Sequence, residues 1–179
     1  LRERLVPLAE GKVLEVGIGS GLNLPFYEKS VHVTGLDPSL ELQAYAREVA
    51  EKEGIDVNFI GLSGEEIPAD NNSFDTVVMT WTLCTIPDPR QALMEIKRVL
   101  KPRGKVIFAE HGEAPDVNIA KWQARINPVW NVIGGGCHLN RKIESLYEGS
   151  GFNFDEIEKG YLEGPRIATY NFRGIASIA

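Results

Sequence analysis

Along the chain, short apolar runs alternate with segments whose apolar residues recur every three to four positions. Lys12–Gly17, Val31–Leu36, Val57–Ile60, Phe74–Thr80 and Lys105–His111 read as strands. Between them, Pro38–Glu53 puts Leu42, Tyr45, Ala46, Val49 and Ala50 on one helical face, with Asp37 or Ser39 available as its cap. Pro89–Lys101 repeats the pattern through Leu93, Ile96, Val99 and Leu100; Pro89 suits a first turn, and Pro102-Arg103-Gly104 closes the helix. Strand and helix in alternation predict a doubly wound α/β fold, a mostly parallel sheet with helices on both faces and right-handed crossovers.

After His111 the texture changes. Gly112–Ile133 carries Trp122, Ile126, Val129, Trp130 and Ile133, interrupted by Pro128 and followed by Gly134-Gly135-Gly136. This reads as a lid-like insertion at about 112–140, either core covering the sheet or a roof over an apolar ligand. Arg141–Glu148 reads as a short helix, and Phe152–Glu158 and Arg166–Ala176 as a terminal antiparallel hairpin. No linker splits the chain, so residues 1–179 read as a single domain.

Charge narrows the ligand. Nineteen Lys+Arg against 25 Asp+Glu leave a net −6, which disfavours a polynucleotide, whose affinity comes mostly from cations neutralising phosphates. A small molecule is the better expectation. No run of eighteen apolar residues occurs, and no basic stretch leads into an apolar one. The chain opens at Leu1 rather than Met, which leaves an upstream anchor, and membrane association through it, open. Cys84 and Cys137 lie far apart with no Cys-x-x-Cys pair, so neither a disulfide framework nor a metal site is expected, and a reducing, cytoplasmic setting fits.

The sharpest chemistry lies in Val13-Leu14-Glu15-Val16-Gly17-Ile18-Gly19-Ser20-Gly21, a strand running into glycines and then toward a helix expected near Leu22. Ligands bind outside the carboxyl ends of such strands, glycines admit close backbone approach, and N–H groups at a helix start suit an anion. The third glycine of a dinucleotide fingerprint would fall at Leu22 and is missing, and no Gly-Lys-Ser/Thr follows, which disfavours a dehydrogenase and a P-loop. Glu15 would repel a pyrophosphate but attract an ammonium. Asp37, twenty positions after Gly17, ends the second strand run, where an acid accepts hydrogen bonds from ribose hydroxyls. Such bonds to a charged group are worth roughly 1.5–3 kcal/mol each. An amino acid joined to a ribose describes a cofactor of the adenosylmethionine type.

With those residues in view, Glu15–Gly21, Asp37 and Phe74-Asp75-Thr76-Val77-Val78 resemble the successive motifs of class I S-adenosylmethionine-dependent methyltransferases, from about Lys12 to the terminal hairpin. Gly64-Glu65-Glu66-Ile67-Pro68 resembles the segment that edges the adenine, and Leu83–Pro89 the segment after the fourth strand. Many relatives carry Asp where Ser63 stands, so a backbone group or the Ser63 hydroxyl would meet the adenine amino group. Leu22–Tyr27, Glu110-His111 and Gly136–Arg141 are similar to a branch that includes alkyl-thiol methyltransferases and, more loosely, quinone-biosynthesis and phospholipid N-methyltransferases.

The resemblance implies a seven-stranded sheet with its last strand antiparallel, and S-adenosyl-L-methionine as cofactor. It implies contacts from Glu15, Gly17, Ile18, Gly19, Gly21, Asn23 and Asp37, and from Pro38, Ser63, Gly64, Glu65, Thr80 and Trp81. His111, at a strand's carboxyl end, is the candidate catalytic base, its ordinary pKa suiting neutral pH, beside the plainer reading as a hydrogen-bonded structural histidine. The expected acceptor is small or hydrophobic, a thiol in preference to a quinol or phospholipid amine. A cofactor-binding module without an acceptor site is the alternative from another class.

Overall fold

The computed structural model describes Leu1–Ala179, with strands β1 (Lys12–Val16), β2 (His32–Leu36), β3 (Val57–Ile60), β4 (Phe74–Thr80), β5 (Leu100–His111), β6 (Phe152–Tyr161) and β7 (Tyr170–Ile178). Helices are α1 (Arg2–Leu5), α2 (Leu40–Glu53), α3 (Pro89–Val99), α4 (Val117–Ile133), α5 (Ile143–Gly149) and α6 (Arg166–Thr169). The strands form one sheet in the order β3-β2-β1-β4-β5-β7-β6, and β7 alone runs antiparallel to its neighbours. After β1 the chain winds one way to β2 and β3, then returns to lay β4 on β1's other side. The crevice between the carboxyl ends of β1 and β4 is the switch point at which such sheets bind ligands.

Both sheet faces are buried, as a parallel sheet requires. One core packs Leu14, Val16, Val77 and Met79 against Leu93 and Ile96 of α3 and Tyr147 of α5. The other packs Val13, Val33, Val78 and Ile107 against Ala46 and Ala50 of α2 and Leu5 and Val6 near the N-terminus. In α3 the expected face is buried, and Asp88 caps it by accepting from Arg90 N and Gln91 N at 3.1 and 3.0 Å.

Several expectations change. No α-helix follows the glycine loop; the chain turns through Gly21–Asn23 into a single 3-10 turn, Leu24–Phe26, with Pro25 in its first turn. The buried face of α2 is Gln43, Ala46 and Ala50, while Leu42 and Tyr45 are exposed. Gln43 turns inward because its amide donates to the carbonyls of Asp37 and Ile60 at 2.7 and 2.8 Å. Ser39, and not Asp37, caps that helix, accepting from Leu42 N at 3.2 Å. Pro128 does not interrupt α4: Asn127 accepts from Leu139 N and Asn131 donates to the Gly136 carbonyl, so both flanks of the proline are tied to the following loop. The apolar stripe of α4 is no core, since Trp122, Val129 and Ile133 stay 54%, 63% and 74% exposed. The segment Arg166–Thr169 is a short helix that shortens the last strand's start.

Candidate active site

At the switch point lies a cleft of about 590 Å³. It is within the usual range of small-molecule sites, about 300–1,000 Å³. Of the residues expected at the cofactor, Glu15, Gly17, Ile18, Gly19, Asn23, Asp37, Pro38, Ser63, Gly64, Thr80 and Trp81 line it. Gly21 and Glu65 do not. A Cβ at Gly21 would lie 2.9 Å from Leu24 and 3.0 Å from Ala46, so this glycine serves packing of the loop on α2. Glu65 accepts from Ser63 Oγ and from Asp88 N at 2.8 and 2.7 Å, and so shapes the rim.

The glycines act differently. Gly17 has φ +74°, and a Cβ there would stand 2.3 Å from the Thr82 side chain, so this position admits no larger residue. Gly19 has φ +53°, and nothing of the protein but the Gly17 carbonyl, at 4.0 Å, would meet its Cβ. That opening lies on the cleft, where a ligand would pass against bare backbone.

Asp37 is buried, with Oδ2 accepting from Gly19 N at 2.9 Å and Oδ1 from Ser39 N at 2.8 Å. A carboxylate has about four lone-pair sites, so each oxygen retains one for a ligand hydroxyl. The same contacts tie the acid to the glycine loop, so the ribose position and the loop are built as one unit.

Glu15 is also buried, accepting from Asn23 Nδ2 at 2.9 Å and Tyr27 Oη at 2.8 Å. Asn23 Nδ2 donates in addition to Thr80 Oγ1 at 3.0 Å, and its Oδ1 accepts from Arg2 Nε at 2.9 Å. Burial is the main force pushing the Glu15 carboxyl up to about 7, against the hydrogen bonds that favour its charge. Between pH 4.5 and 7 the folded protein therefore holds a proton that the unfolded chain has released, and its stability falls as pH rises through that window. Glu15→Gln is expected to flatten this part of the stability profile and raise the ligand-free protein's melting temperature at pH 8, measured by thermal unfolding from pH 4 to 8. An ammonium bound beside Glu15 would favour its carboxylate, so ligand binding near pH 6.5 should release protons, read as a buffer-dependent heat in calorimetry.

Trp81, at the end of β4, adopts φ +54°, rare for a bulky residue. Three contacts hold it: its N–H donates to the Ala109 carbonyl at 2.7 Å, its indole donates to Asn171 Oδ1 at 3.0 Å, and Arg2 stacks on its ring at 4.6 Å. The bend brings Thr82 over Gly17. Arg2 also lines the cleft. As a cation near the chain start it carried no signal in strand or helix pattern, and Thr82 was equally silent; Tyr27 stood only within the Leu22–Tyr27 resemblance.

His111 does not face open solvent. Its Nε2 lies 3.0 Å from Cys137 Sγ, which also accepts from Trp130 Nε1 at 3.4 Å. Cys84, His111 and Cys137 bring their sulfur and nitrogen atoms within 4.8 Å of one another. The two cysteines, expected to be unrelated, meet because α4 returns its C-terminal loop to the end of β4. The neighbouring Cys84 thiol, with the imidazole and the indole, draws Cys137 below its usual range, while the nearness of Cys137 and burial push Cys84, which donates to the Trp81 carbonyl at 3.5 Å, up. Burial disfavours protonated His111, yet Cys137 and the charge of Glu110 outweigh it and raise its pKa. Glu110 is fully buried, with Oε1 accepting from Thr82 N and Leu83 N at 3.0 Å each; burial raises its carboxyl to about 7.

A glycine loop and paired acids at the switch point of an open sheet form the nucleotide-cofactor site of a doubly wound fold. The model of the methyltransferase domain family matches residues 14–108, and the chain belongs to that family, whose cofactor is S-adenosylmethionine. It is 36% identical over 153 residues to the thiol S-methyltransferase TMT1B of Rattus norvegicus, covering 83% of this chain and 63% of that protein. With the thiol S-methyltransferase TMT1A of Homo sapiens it shares 32% identity over 170 residues, 92% of this chain and 68% of the relative. Among solved structures, an S-adenosylmethionine-dependent methyltransferase from Methanosarcina mazei superposes with a TM-score of 0.73 at 23% identity, covering 93% of this chain and 92% of that one. The chain thus spans a little under two thirds of the rat relative's length. No helix is long and apolar enough to cross a membrane.

Proposed function

We propose that the protein transfers the methyl group of S-adenosylmethionine to a small or hydrophobic thiol. The observation that carries this reading is the cleft itself, which sets Asp37 and Glu15 at the ends of adjacent strands around an open glycine backbone. The residues fit the cofactor. Asp37 would hold the ribose hydroxyls, Glu15 with Asn23 the ammonium side, and Gly19 the chain between. Ser63, its hydroxyl hydrogen given to Glu65, keeps an oxygen that would accept from the adenine amino group. Arg2 would meet the carboxylate that an absent helix terminus does not. Arg2→Ala is therefore expected to weaken binding of S-adenosylhomocysteine about tenfold, the worth of roughly 1.4 kcal/mol, by calorimetry.

The cofactor supplies a methyl already activated by positive sulfur, so the protein's task is to align it with the acceptor and to exclude water. Positioning of this kind supplies roughly 7–11 kcal/mol of barrier reduction. When bound, the cofactor would supply this methyl by displacement, the acceptor's S–C bond forming as the C–S⁺ bond breaks and its electrons returning to sulfur. A thiol acceptor must also lose its proton. His111 faces Cys137 and does not line the cleft, so it is not placed to take that proton directly.

The thiol preference rests on the likeness to the two thiol S-methyltransferases, and a small acceptor agrees with the net −6 and the short insertion. Two free cysteines in one cluster agree with a reducing, cytoplasmic setting. The test is a panel of thiols, quinols, amines and phospholipids with radiolabelled cofactor. Label appearing in a thiol supports the reading, a quinol or phospholipid product moves the acceptor, and no product anywhere favours a cofactor-binding module.

A further inference from the structure

Cys84, His111 and Cys137 come from three separate parts of the chain: the turn after β4, the end of β5 and the loop after α4. Each is fixed by contacts outside the cluster. The turn after β4 hangs from Glu110, whose Oε1 accepts from Thr82 N and Leu83 N. Arg141 clamps the same turn by donating to the carbonyls of Leu83 and Ile86 at 2.7 and 2.6 Å. The loop after α4 is joined to that turn directly, His138 N donating to the Cys84 carbonyl at 2.9 Å. Two soft sulfurs and one imidazole nitrogen are thus held together on a stiff frame.

We propose that these three residues form a binding site for a thiophilic divalent cation of the Zn²⁺ class. A tetrahedral Zn²⁺ bound at about 2.3 Å to sulfur and about 2.0 Å to nitrogen sets its ligand atoms roughly 3.5–3.8 Å apart. The cluster, with all three atoms within 4.8 Å, reaches that arrangement by shifts of about 1 Å or less. Three protein ligands leave a fourth position open, the pattern of reactive rather than structural zinc. Two thiolates balance the cation's charge, so the buried group would be neutral.

The cluster adjoins the cleft, since Thr85 next to Cys84, and Gly135 two residues before Cys137, line it. Taking the thiol reading above as its premise, a thiol entering the fourth position would lose its proton to solvent on coordination. It would then carry the electron pair that attacks the methyl group. His111 would be a ligand and not the base.

Titration of the reduced protein with Co²⁺, in the absence of oxygen, reads the site without any turnover. One equivalent is expected to give tetrahedral ligand-field bands with cobalt–thiolate charge transfer, displaced by Zn²⁺. Cys137→Ser, at a half-buried position, should weaken binding at least tenfold and roughly halve the charge transfer, Cys84 being the remaining thiolate, while its melting temperature shows that the fold persists; His111→Ala should also weaken binding at least tenfold. His138→Ala, whose ring bonds Asn127 and Asn131, should leave the spectrum intact. Absence of the bands in the unaltered chain, an undiminished spectrum and affinity in Cys137→Ser, or their loss in His138→Ala would overturn the site. A tetrahedral cobalt spectrum in a chain that methylates no thiol would uphold the site and defeat the acceptor reading. Thiol methylation with no cobalt binding would do the reverse.

Discussion

Asp37→Ala should weaken binding of S-adenosylhomocysteine by about 100-fold or more, measured by calorimetry. The two ribose hydroxyls would each lose a hydrogen bond to a charged acceptor, worth roughly 1.5–3 kcal/mol, and two such losses exceed the 2.7 kcal/mol that 100-fold requires. The true effect should be larger than this sum. Asp37 also receives the N–H groups of Gly19 and Ser39, so truncation frees the glycine loop and the approach to α2 together. Asp37→Asn tests the split: it keeps one oxygen and the side chain's size, and should recover part of the affinity. Unchanged affinity in the alanine variant would remove Asp37 from the ribose site.

Gly19→Leu should abolish detectable cofactor binding with little loss of fold. Its backbone stands at φ +53°, where an L side chain costs roughly 1–2 kcal/mol. For a chain of this size that lowers the melting temperature by about 2–8 °C. The added side chain meets no protein atom but would project where the ligand passes. Gly17→Leu is a different experiment, because Thr82 occupies the space and the fold itself would give way. A variant at Gly19 that binds normally would place the cofactor elsewhere in the cleft.

What the sequence made legible follows from the range of each signal. The glycine loop, Glu15 and Asp37 are local: strand pattern, positive-φ residues and an acid at a strand end stand within about twenty-five positions, and the structure sets them around one cleft. The sheet was legible for the same reason, since strand runs are separated by helix periods at Pro38–Glu53 and Pro89–Lys101 and every strand as far as His111 shows its own apolar run. The helix expected after Gly21 gave way to a turn through Gly21–Asn23 and a single 3-10 turn with Pro25 in its first turn. The face of α2 was misjudged because a polar residue, Gln43, is buried by two backbone carbonyls that no periodicity reveals.

Residues joined only by topology stayed hidden. Arg2 reaches Asn23 and Trp81 over the carboxyl ends of β1 and β4, and its sequence neighbourhood gives no hint of a ligand. Cys84 and Cys137 are separated by 53 positions, and only the return of α4 brings them to His111. Spacing rules detect metal and disulfide sites built from adjacent residues; a site assembled from three strand and helix ends escapes them. Trp81 was placed at the site by its strand, but its backbone strain and its role as Arg2's platform needed the structure.

The most direct test is to incubate the chain with S-adenosylmethionine bearing a deuterated methyl group and a small alkyl thiol, and to follow the products by mass spectrometry. Thiol methylation at this site predicts the intact trideuteromethyl group on the thiol's sulfur, one S-adenosylhomocysteine per product, and loss of both in Asp37→Ala. Tight cofactor binding with no labelled thioether from any thiol would contradict it.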